Sequence, residues 1–264
     1  MKEQNPVIKI EGANVFLDGN HILHDINWQV MPRENYFILG ANGAGKTTLV
    51  KLLMGYVWAI HGAHVEVLGT TFGRGSLVEM RKRIAWLSPF LSRWTSENIT
   101  VLDMVISGLD AAIGMLRDAL PEEVDKARSM LRELDCEHIA DHPYVKISSG
   151  EQLKTLICRA MIGNPELLIL DEPCVHLDMK SREHFLEMLE EFMARPDAPT
   201  IVFITQRIED IIPGFSRGMI MRKGRIIDSG ARDNILTTEN VCSTFGMNIK
   251  LHHSENGRIW PQLI

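Results

Sequence analysis

The chain has 264 residues, of which 45% are hydrophobic and 23% are charged, and its formal net charge at pH 7 is −6. This composition is typical of a globular protein, and the acidic balance argues against nucleic acid as the main partner because phosphate binding needs a basic surplus. No apolar run reaches the roughly 18 residues that cross a bilayer, and the polar N-terminus does not resemble a signal peptide, so we expect a cytoplasmic protein.

The first third of the chain predicts strands that lead into a helix. Apolar runs rich in β-branched and aromatic residues predict strands at residues 7–10, 28–30 and 36–39. A helix is predicted at residues 48–54, with Gly55 directly after its last turn. Strands that alternate with helices indicate an α/β fold.

A phosphate-binding pattern follows the third predicted strand. The pattern G-x-x-x-x-G-K-[ST] is specific when it stands between a strand and a helix, as it does here. The residues predicted to cradle a nucleotide are Gly40, Ala41, Asn42, Gly43, Ala44, Gly45, Lys46, Thr47 and Thr48. Backbone N–H groups would bind the phosphates, Lys46 would reach the β- and γ-phosphates, and the Thr47 hydroxyl would coordinate Mg²⁺. The sequence therefore predicts a site for ATP and Mg²⁺.

The middle of the chain changes character. From about residue 96 to residue 140 the pattern is amphipathic helix without a convincing strand. Pro121 stands where a helix begins, and acidic residues follow it in the first turn. This stretch is predicted to be a helical insertion in an α/β core.

The last part of the chain returns to strands. Runs at residues 167–170 and 201–204 predict strands that flank an amphipathic helix, and residues 219–227 predict a hairpin around Lys223 and Gly224. The first of these strands ends in two carboxylates.

Asp171 and Glu172 are the carboxylates at that strand end. Because side chains alternate along a strand, the two are predicted to point in opposite directions and to serve different roles. Asp171 would bind Mg²⁺ directly or through water, and Glu172 would orient or deprotonate the attacking water. Alone, the pair fits a solvated strand end equally well. Together with the phosphate loop it favours hydrolysis.

The motifs of this sequence and their order along the chain resemble those of the ATP-binding subunit of an ABC transporter. Residues 147–152 (Ile-Ser-Ser-Gly-Glu-Gln) resemble the family's LSGGQ signature, and residues 171–178 continue into what looks like its D-loop. The resemblance implies an α/β phosphate-loop NTPase of the ABC type, with a RecA-like core, an antiparallel N-terminal β subdomain and a helical subdomain. It implies one ABC domain over residues 1–264, with the helical subdomain at about 91–160 and the core at about 1–90 and 161–264.

The resemblance also implies how the site is completed. Two copies would pack head-to-tail, so that the signature of one copy closes over the nucleotide in the phosphate loop of the other. The residues implied to act in this way are Ser148, Ser149, Gly150, Glu151 and Asp178. Taken alone, the serines would indicate an ordinary helix cap. The family further implies a second ABC subunit, a homodimer being the simplest, and a transmembrane permease that holds the chain at the inner face of the membrane.

Three positions depart from the family's pattern. Pro89 stands where the family has a glutamine that contacts Mg²⁺, so that Ser88 or water takes this contact or it is lost. Gln206 replaces the switch histidine as a catalytic residue, and glutamine donates a hydrogen bond but exchanges no proton near neutral pH. Leu17, beside Phe16, stands where an aromatic ring stacks on adenine, and which of the two meets the base stays open. We expect ATP binding to be intact and hydrolysis to be slow.

The apolar side chains of Phe90, Leu91 and Trp94 have two interpretations. They form either a docking face for a transmembrane partner or a buried cluster beneath the helical insertion. His138 and His142, four residues apart, indicate a solvated helix end rather than a metal site.

The sequence favours an ATP-hydrolysing subunit that powers an ABC transporter. The alternative is a soluble ABC-type ATP sensor with weak hydrolysis, suggested by Pro89 and Gln206. The phosphate loop, Trp28 and residues 209–215 are most similar to ABC subunits of metal or oxyanion uptake. The nucleotide subunit does not touch the cargo, so its sequence does not encode the cargo.

Overall fold

The computed structural model describes residues 5–88, 97–110, 115 and 117–264. The strands are β1 (Ile8–Leu17), β2 (Asn20–Val30), β3 (Tyr36–Leu39), β4 (His64–Val67), β5 (Thr70–Thr71), β6 (Ile84–Leu87), β7 (Leu167–Asp171), β8 (Thr200–Thr205), β9 (Arg217–Arg222), β10 (Arg225–Ala231), β11 (Ile249–His253) and β12 (Ile259–Leu263). The α-helices are α1 (Lys46–Leu53), α2 (Leu77–Lys82), α3 (Val101–Ile106), α4 (Pro121–Glu133), α5 (Ser149–Met161), α6 (Met179–Met193), α7 (Arg232–Ile235) and α8 (Thr238–Phe245). The chain forms two compact units, Met1–Met80 with Met188–Ile264, and Arg81–Glu187.

The first unit contains an antiparallel sheet of strand order β2-β1-β4-β5. One face of β1 is buried through Ile8, Ile10, Ala13 and Val15, while the residues between them are more exposed. This alternation is the pattern of a strand with one face on the core. The predicted antiparallel N-terminal β part is therefore confirmed.

The same unit contains a parallel set of strands with β3 in the middle. β3 pairs in parallel with β8 on one side and with β9 on the other, and β10 pairs antiparallel with β9. Every residue of β3 and β8 is buried. Continuous apolar runs of this kind are typical of parallel strands that are covered on both faces.

The second unit contains the parallel pair β6–β7 and the helices α3, α4 and α5. These helices surround a buried apolar cluster that includes Val105, Leu131 and Ile162. Gly108 makes their close approach possible, because a Cβ atom at this position would lie 2.1 Å from the backbone oxygen of Arg159. Among the described residues between 97 and 160, no strand occurs apart from a single bridge between Thr100 and Pro143.

The helices and strands that carry the motifs were predicted from the sequence. β3, α1, β7, β8 and the β9–β10 hairpin lie where the sequence places them, and Pro121 is the first residue of α4. The sequence did not predict the short elements β4, β5 and α2, nor α7, α8, β11 and β12 near the C-terminus. The limits of the helical subdomain at 91 and 160 stay a prediction. Within the part of the chain that is described, no helix is long and apolar enough to cross a membrane.

Candidate nucleotide-binding and catalytic site

The phosphate loop joins β3 to α1 through glycines in the left-handed backbone region. Gly43 has φ +78° and Gly45 has φ +101°, values that residues with a Cβ atom rarely adopt. A Cβ atom at Gly45 would also lie 2.9 Å from the side chain of Leu23. Gly45 caps α1 without a side chain, and the first turn of α1 contains no acidic residue. The N–H groups at the start of this helix are therefore not covered by a side-chain cap, as an anion-binding N-terminus requires.

The side chain of Lys46 is hydrogen-bonded to the backbone of the loop. The residue is 5% exposed, and its Nζ atom donates to the carbonyl oxygens of Gly40 at 2.7 Å and Ala41 at 3.1 Å. Thr47 is exposed and Thr48 is half-buried in the first turn of α1. The ammonium group is thus held against the backbone of the first two residues of the loop.

The tip of the β9–β10 hairpin supports the loop from the side. The backbone N–H of Gly224 donates to the Ala44 oxygen at 2.9 Å, and the Gly224 oxygen accepts from the N–H of His24 at 2.8 Å. Gly224 has φ +75°, and a Cβ atom there would lie 1.9 Å from the backbone oxygen of Ile22. The sequence indicated a turn at this position but gave no sign that the turn touches the phosphate loop.

Gln206 lies at the same strand edge as the loop. Leu39 pairs with Thr205 in the parallel β3–β8 ladder, and the Gly40 N–H donates to the Thr205 oxygen at 3.3 Å. Because both strands end here, the structure brings the half-buried Gln206 next to the first glycine of the loop.

The end of the β1–β2 hairpin holds a column of aromatic rings. Phe16 is 45% exposed and stacks on His21 with ring centroids 4.2 Å apart and planes 10° apart. The rings of His21 and His24 are 3.7 Å apart, and partial burial together with the nearby His21 and Arg225 lowers the pKa of His24. Leu17, by contrast, is half-buried. Of the two residues left open by the sequence, Phe16 is the more exposed one.

In the second unit, β7 ends at Asp171, which is 4% exposed. Leu87 pairs with Leu170 in the β6–β7 ladder, so the next residues along these strands, Ser88 and Asp171, share one edge. Ser88 is also buried. Outside the described residues lie Pro89, Phe90, Leu91 and Trp94, which follow Ser88 in the sequence.

Glu172 differs from the expectation of a simple strand end. The strand stops one residue earlier, and Glu172 has φ +53°. A left-handed conformation costs a non-glycine residue about 1–3 kcal/mol and is concentrated at functional sites. The direction of the half-buried Glu172 side chain is therefore determined by this left-handed backbone turn and not by strand alternation.

The signature segment starts α5 with a capping box. The Ser148 hydroxyl donates to Glu151 Oε2 at 2.6 Å, the Ser148 N–H donates to the same oxygen at 2.9 Å, and the Glu151 N–H donates back to Ser148 Oγ at 3.4 Å. These bonds from Ser148 lower the pKa of Glu151. Ser148 and Ser149 are exposed, so the helix start is open to solvent.

Asp178 lies beside this helix start within the same unit. It accepts from the Ser181 N–H at 2.8 Å and from the Ser181 hydroxyl at 3.2 Å, and these bonds lower its pKa. A Cβ atom at Gly150 would lie 3.4 Å from Ser181 Oγ, which places the starts of α5 and α6 side by side. The second unit therefore groups the predicted signature with Asp178, and the first unit groups the phosphate loop with Gln206.

The chain is similar to a known protein family over most of its length. The profile of the family described as ABC transporter matches residues 23–175, which is more than half of the chain. An uncharacterized ABC transporter ATP-binding protein of Lactococcus lactis is 32% identical over 249 residues, covering 94% of this chain and 96% of that protein.

Two further proteins that are similar to this chain have more specific names. The manganese transport system ATP-binding protein of Halalkalibacterium halodurans is 28% identical over 253 residues, covering 93% of this chain and 94% of that protein. Among solved structures, cbiO1 from Clostridium perfringens, a part of the ABC transporter complex cbiONQ, superposes with a TM-score of 0.76 at 23% identity and covers 90% of this chain and 94% of that one. At this identity the structure supports the fold alone.

Proposed function

Because this chain belongs to the ABC transporter family, as an ATP-binding subunit, we propose that it hydrolyses ATP in a head-to-tail dimer and thereby powers a transporter. The observation that carries the proposal is the start of α1 after β3, which no side chain caps. The Lys46 ammonium is hydrogen-bonded to the loop between them, and Gln206 follows β8 at the same edge of the sheet. This arrangement positions a triphosphate and supplies positive charge where negative charge develops during phosphoryl transfer.

In this proposal, the loop of residues 40–48 binds ATP. The N–H groups of the loop and of the first turn of α1 accommodate the phosphates, and Lys46 leaves its carbonyl partners to reach the β- and γ-phosphates. The exposed ring of Phe16 is the better candidate for the base than the half-buried Leu17.

The chain offers suitable donors for Mg²⁺. Among the described residues, no cluster of three or more His, Cys, Asp or Glu is arranged to hold a metal ion. Mg²⁺ in nucleotide sites needs no such cluster, because it binds one or two protein oxygens together with phosphates and water. The Thr47 hydroxyl and the Asp171 carboxylate are the oxygens that would hold it. When bound, it would neutralise charge on the phosphates.

Catalysis would rest on Glu172 and Gln206. The Glu172 carboxylate would orient the attacking water and take its proton, and the Gln206 amide would donate a hydrogen bond to the γ-phosphate. Ser148, Ser149, Gly150, Glu151 and Asp178 would act on the nucleotide of the partner copy. The limits of one ABC domain with a helical subdomain at 91–160 belong to the same proposal.

Mixing two disabled copies tests the head-to-tail site. Lys46→Ala removes ATP binding in the loop, and Ser148→Arg blocks the signature, so neither variant alone should dimerise with ATP. The mixture forms heterodimers with one intact site, because the loop of the Ser148→Arg copy meets the signature of the Lys46→Ala copy. Light scattering after gel filtration measures the masses. If the mixture stays monomeric while the unmodified chain dimerises, the site is not shared between copies.

The replacement Gln206→His tests the expected slow hydrolysis. Histidine donates the same hydrogen bond and can also exchange a proton near neutral pH, so turnover should rise, with the steepest change at about pH 6–7. Steady-state phosphate release between pH 5.5 and 8.5 measures this. An unchanged or lower turnover in Gln206→His would show that glutamine is not what limits the rate.

The partner and cargo belong to the proposal as well. Named relatives are transport subunits, which favours a permease partner and a peripheral position at the inner membrane face over the sensor alternative. The manganese relative supports metal or oxyanion uptake as the class of cargo. Co-purification with a membrane protein tests the partner.

A further inference from the structure

Arg258 is a buried arginine that no role described so far uses. Arg258 is 7% exposed, and it lies directly before β12 in the C-terminal hairpin. Its Nη2 atom donates to the Glu209 carbonyl oxygen at 2.6 Å, and its guanidinium lies 5.3 Å from the centre of the Trp260 ring. Burial of a charge is costly unless hydrogen bonds compensate it, so the hydrogen bond to the Glu209 carbonyl helps to stabilise the buried guanidinium.

The hairpin that carries Arg258 is anchored at a second point. The Arg232 Nη2 atom donates to the Gly257 oxygen at 2.5 Å. A Cβ atom at Gly257 would lie 3.2 Å from the ring of Pro213, so the hairpin turn packs on the segment that follows Glu209. Two neighbouring hairpin residues thus contact the segment at residues 209–213.

That segment continues directly from the proposed switch residue. The Thr205 hydroxyl donates to Asp210 Oδ2 at 3.1 Å, and the Arg207 N–H donates to Thr205 Oγ1 at 2.9 Å. The Ile211 N–H donates to the Ile208 oxygen at 3.0 Å, which closes a short 3₁₀ turn. These bonds make residues 205–211 one compact turn.

We propose that Arg258 is a positioning residue that holds this turn and, through it, keeps Gln206 beside the phosphate loop. The inference rests on the proposed role of Gln206. Arg258 binds a backbone carbonyl of the turn, so this contact acts on the backbone of the turn itself. A group misplaced by about 1 Å can cost as much as a hundredfold in rate, so release of the turn lowers catalysis without removing any group that binds ATP.

The test compares Arg258→Met, which keeps length and apolar contact, with Arg258→Lys, which keeps a charged donor. We expect turnover to fall about tenfold in Arg258→Met, equivalent to about 1.4 kcal/mol, with the Kd for ATP changed less than about twofold. Arg258→Lys should recover part of the loss. Hydrogen exchange should become faster at the amides of residues 206–211 in Arg258→Met.

Arg33→Met is the matched control. The Arg33 guanidinium also donates to a backbone carbonyl, that of Pro196 at 2.9 Å, but it is exposed and binds the segment before β8, whereas Gln206 follows that strand. Arg33→Met should leave turnover and the exchange of residues 206–211 unchanged.

Three outcomes would overturn the inference, and they are distinguishable from one another. Turnover and exchange unchanged in Arg258→Met, with turnover reduced in Gln206→Ala, would remove the role of Arg258 alone. Turnover unchanged in Gln206→Ala would remove the proposed role of Gln206 and the inference with it. A joint loss of turnover, ATP binding and thermal stability in Arg258→Met would show a purely structural role.

Discussion

Glu172→Gln is expected to lower ATP turnover at least about a hundredfold, because removal of a general base costs about 10²- to 10⁴-fold. Glutamine has the same shape as glutamate but cannot take a proton from water. Both residues carry a Cβ atom, so the strained φ of +53° is the same in the variant and the fold should be as stable. ATP binding should persist, and the ATP-bound dimer should accumulate because its nucleotide is not hydrolysed.

Phosphate release measures the turnover, and calorimetric titration with ATP measures binding. Glu187→Gln is the matched control, because it makes the same chemical change at an exposed position of α6. Turnover in the control should equal that of the unmodified chain. Equal turnover in Glu172→Gln would show that another group activates the water.

Gly224→Ala is expected to destabilise the first unit by about 3 kcal/mol, since left-handed backbone costs an alanine about 1–2 kcal/mol and overpacking adds about 1–3 kcal/mol. The new methyl group would lie 1.9 Å from the Ile22 oxygen, so the hairpin tip has to move. This movement would break the bonds of Gly224 to Ala44 and His24. We therefore also expect ATP to bind about tenfold more weakly, which is about 1.4 kcal/mol.

Gly246→Ala separates strain from the clash. Gly246 has φ +66° at the end of α8, and no atom lies within 4 Å of the position of an added Cβ atom. This variant should lose only about 1–2 kcal/mol from backbone strain and keep its ATP affinity. Chemical denaturation gives the free energy of unfolding of each variant. Equal losses in the two variants would show that the contact with Ile22 costs nothing.

The sequence predicted those parts of the fold whose signal is local. β3, the phosphate loop and α1 follow one another within 18 residues, and glycines at positions 43 and 45 are needed for the backbone values that are observed. The apolar run of β7 and the turn at Lys223 and Gly224 are equally local. In each case neighbouring residues determine the conformation through sterics and alternation of burial.

Other features were missed or misjudged because distant residues decide them. The strand alternation expected at Glu172 was wrong, since the strand ends at Asp171 and the next residue turns into the left-handed region. The sequence left open which of Phe16 and Leu17 meets the base, and this stays a prediction. The stacking of Phe16 on His21, which contributes to the preference for Phe16 in the proposal, depends on the pairing of β1 with β2. The roles of the individual site residues stay predictions for the experiments above.

By itself, the sequence determined that the chain has an ABC-type α/β fold and a phosphate loop with Lys46 at the start of a helix, because these depend on local patterns and on the order of motifs. Only the tertiary structure decided that Gly224 is hydrogen-bonded to that loop and that Arg258, 49 residues after Glu209, donates to the Glu209 carbonyl in the turn that follows Gln206. A lone glycine or arginine has no local pattern that announces such a contact. Such a contact forms when the packing of many distant apolar residues brings two segments together, and no single stretch of the sequence contains enough of these residues to predict it.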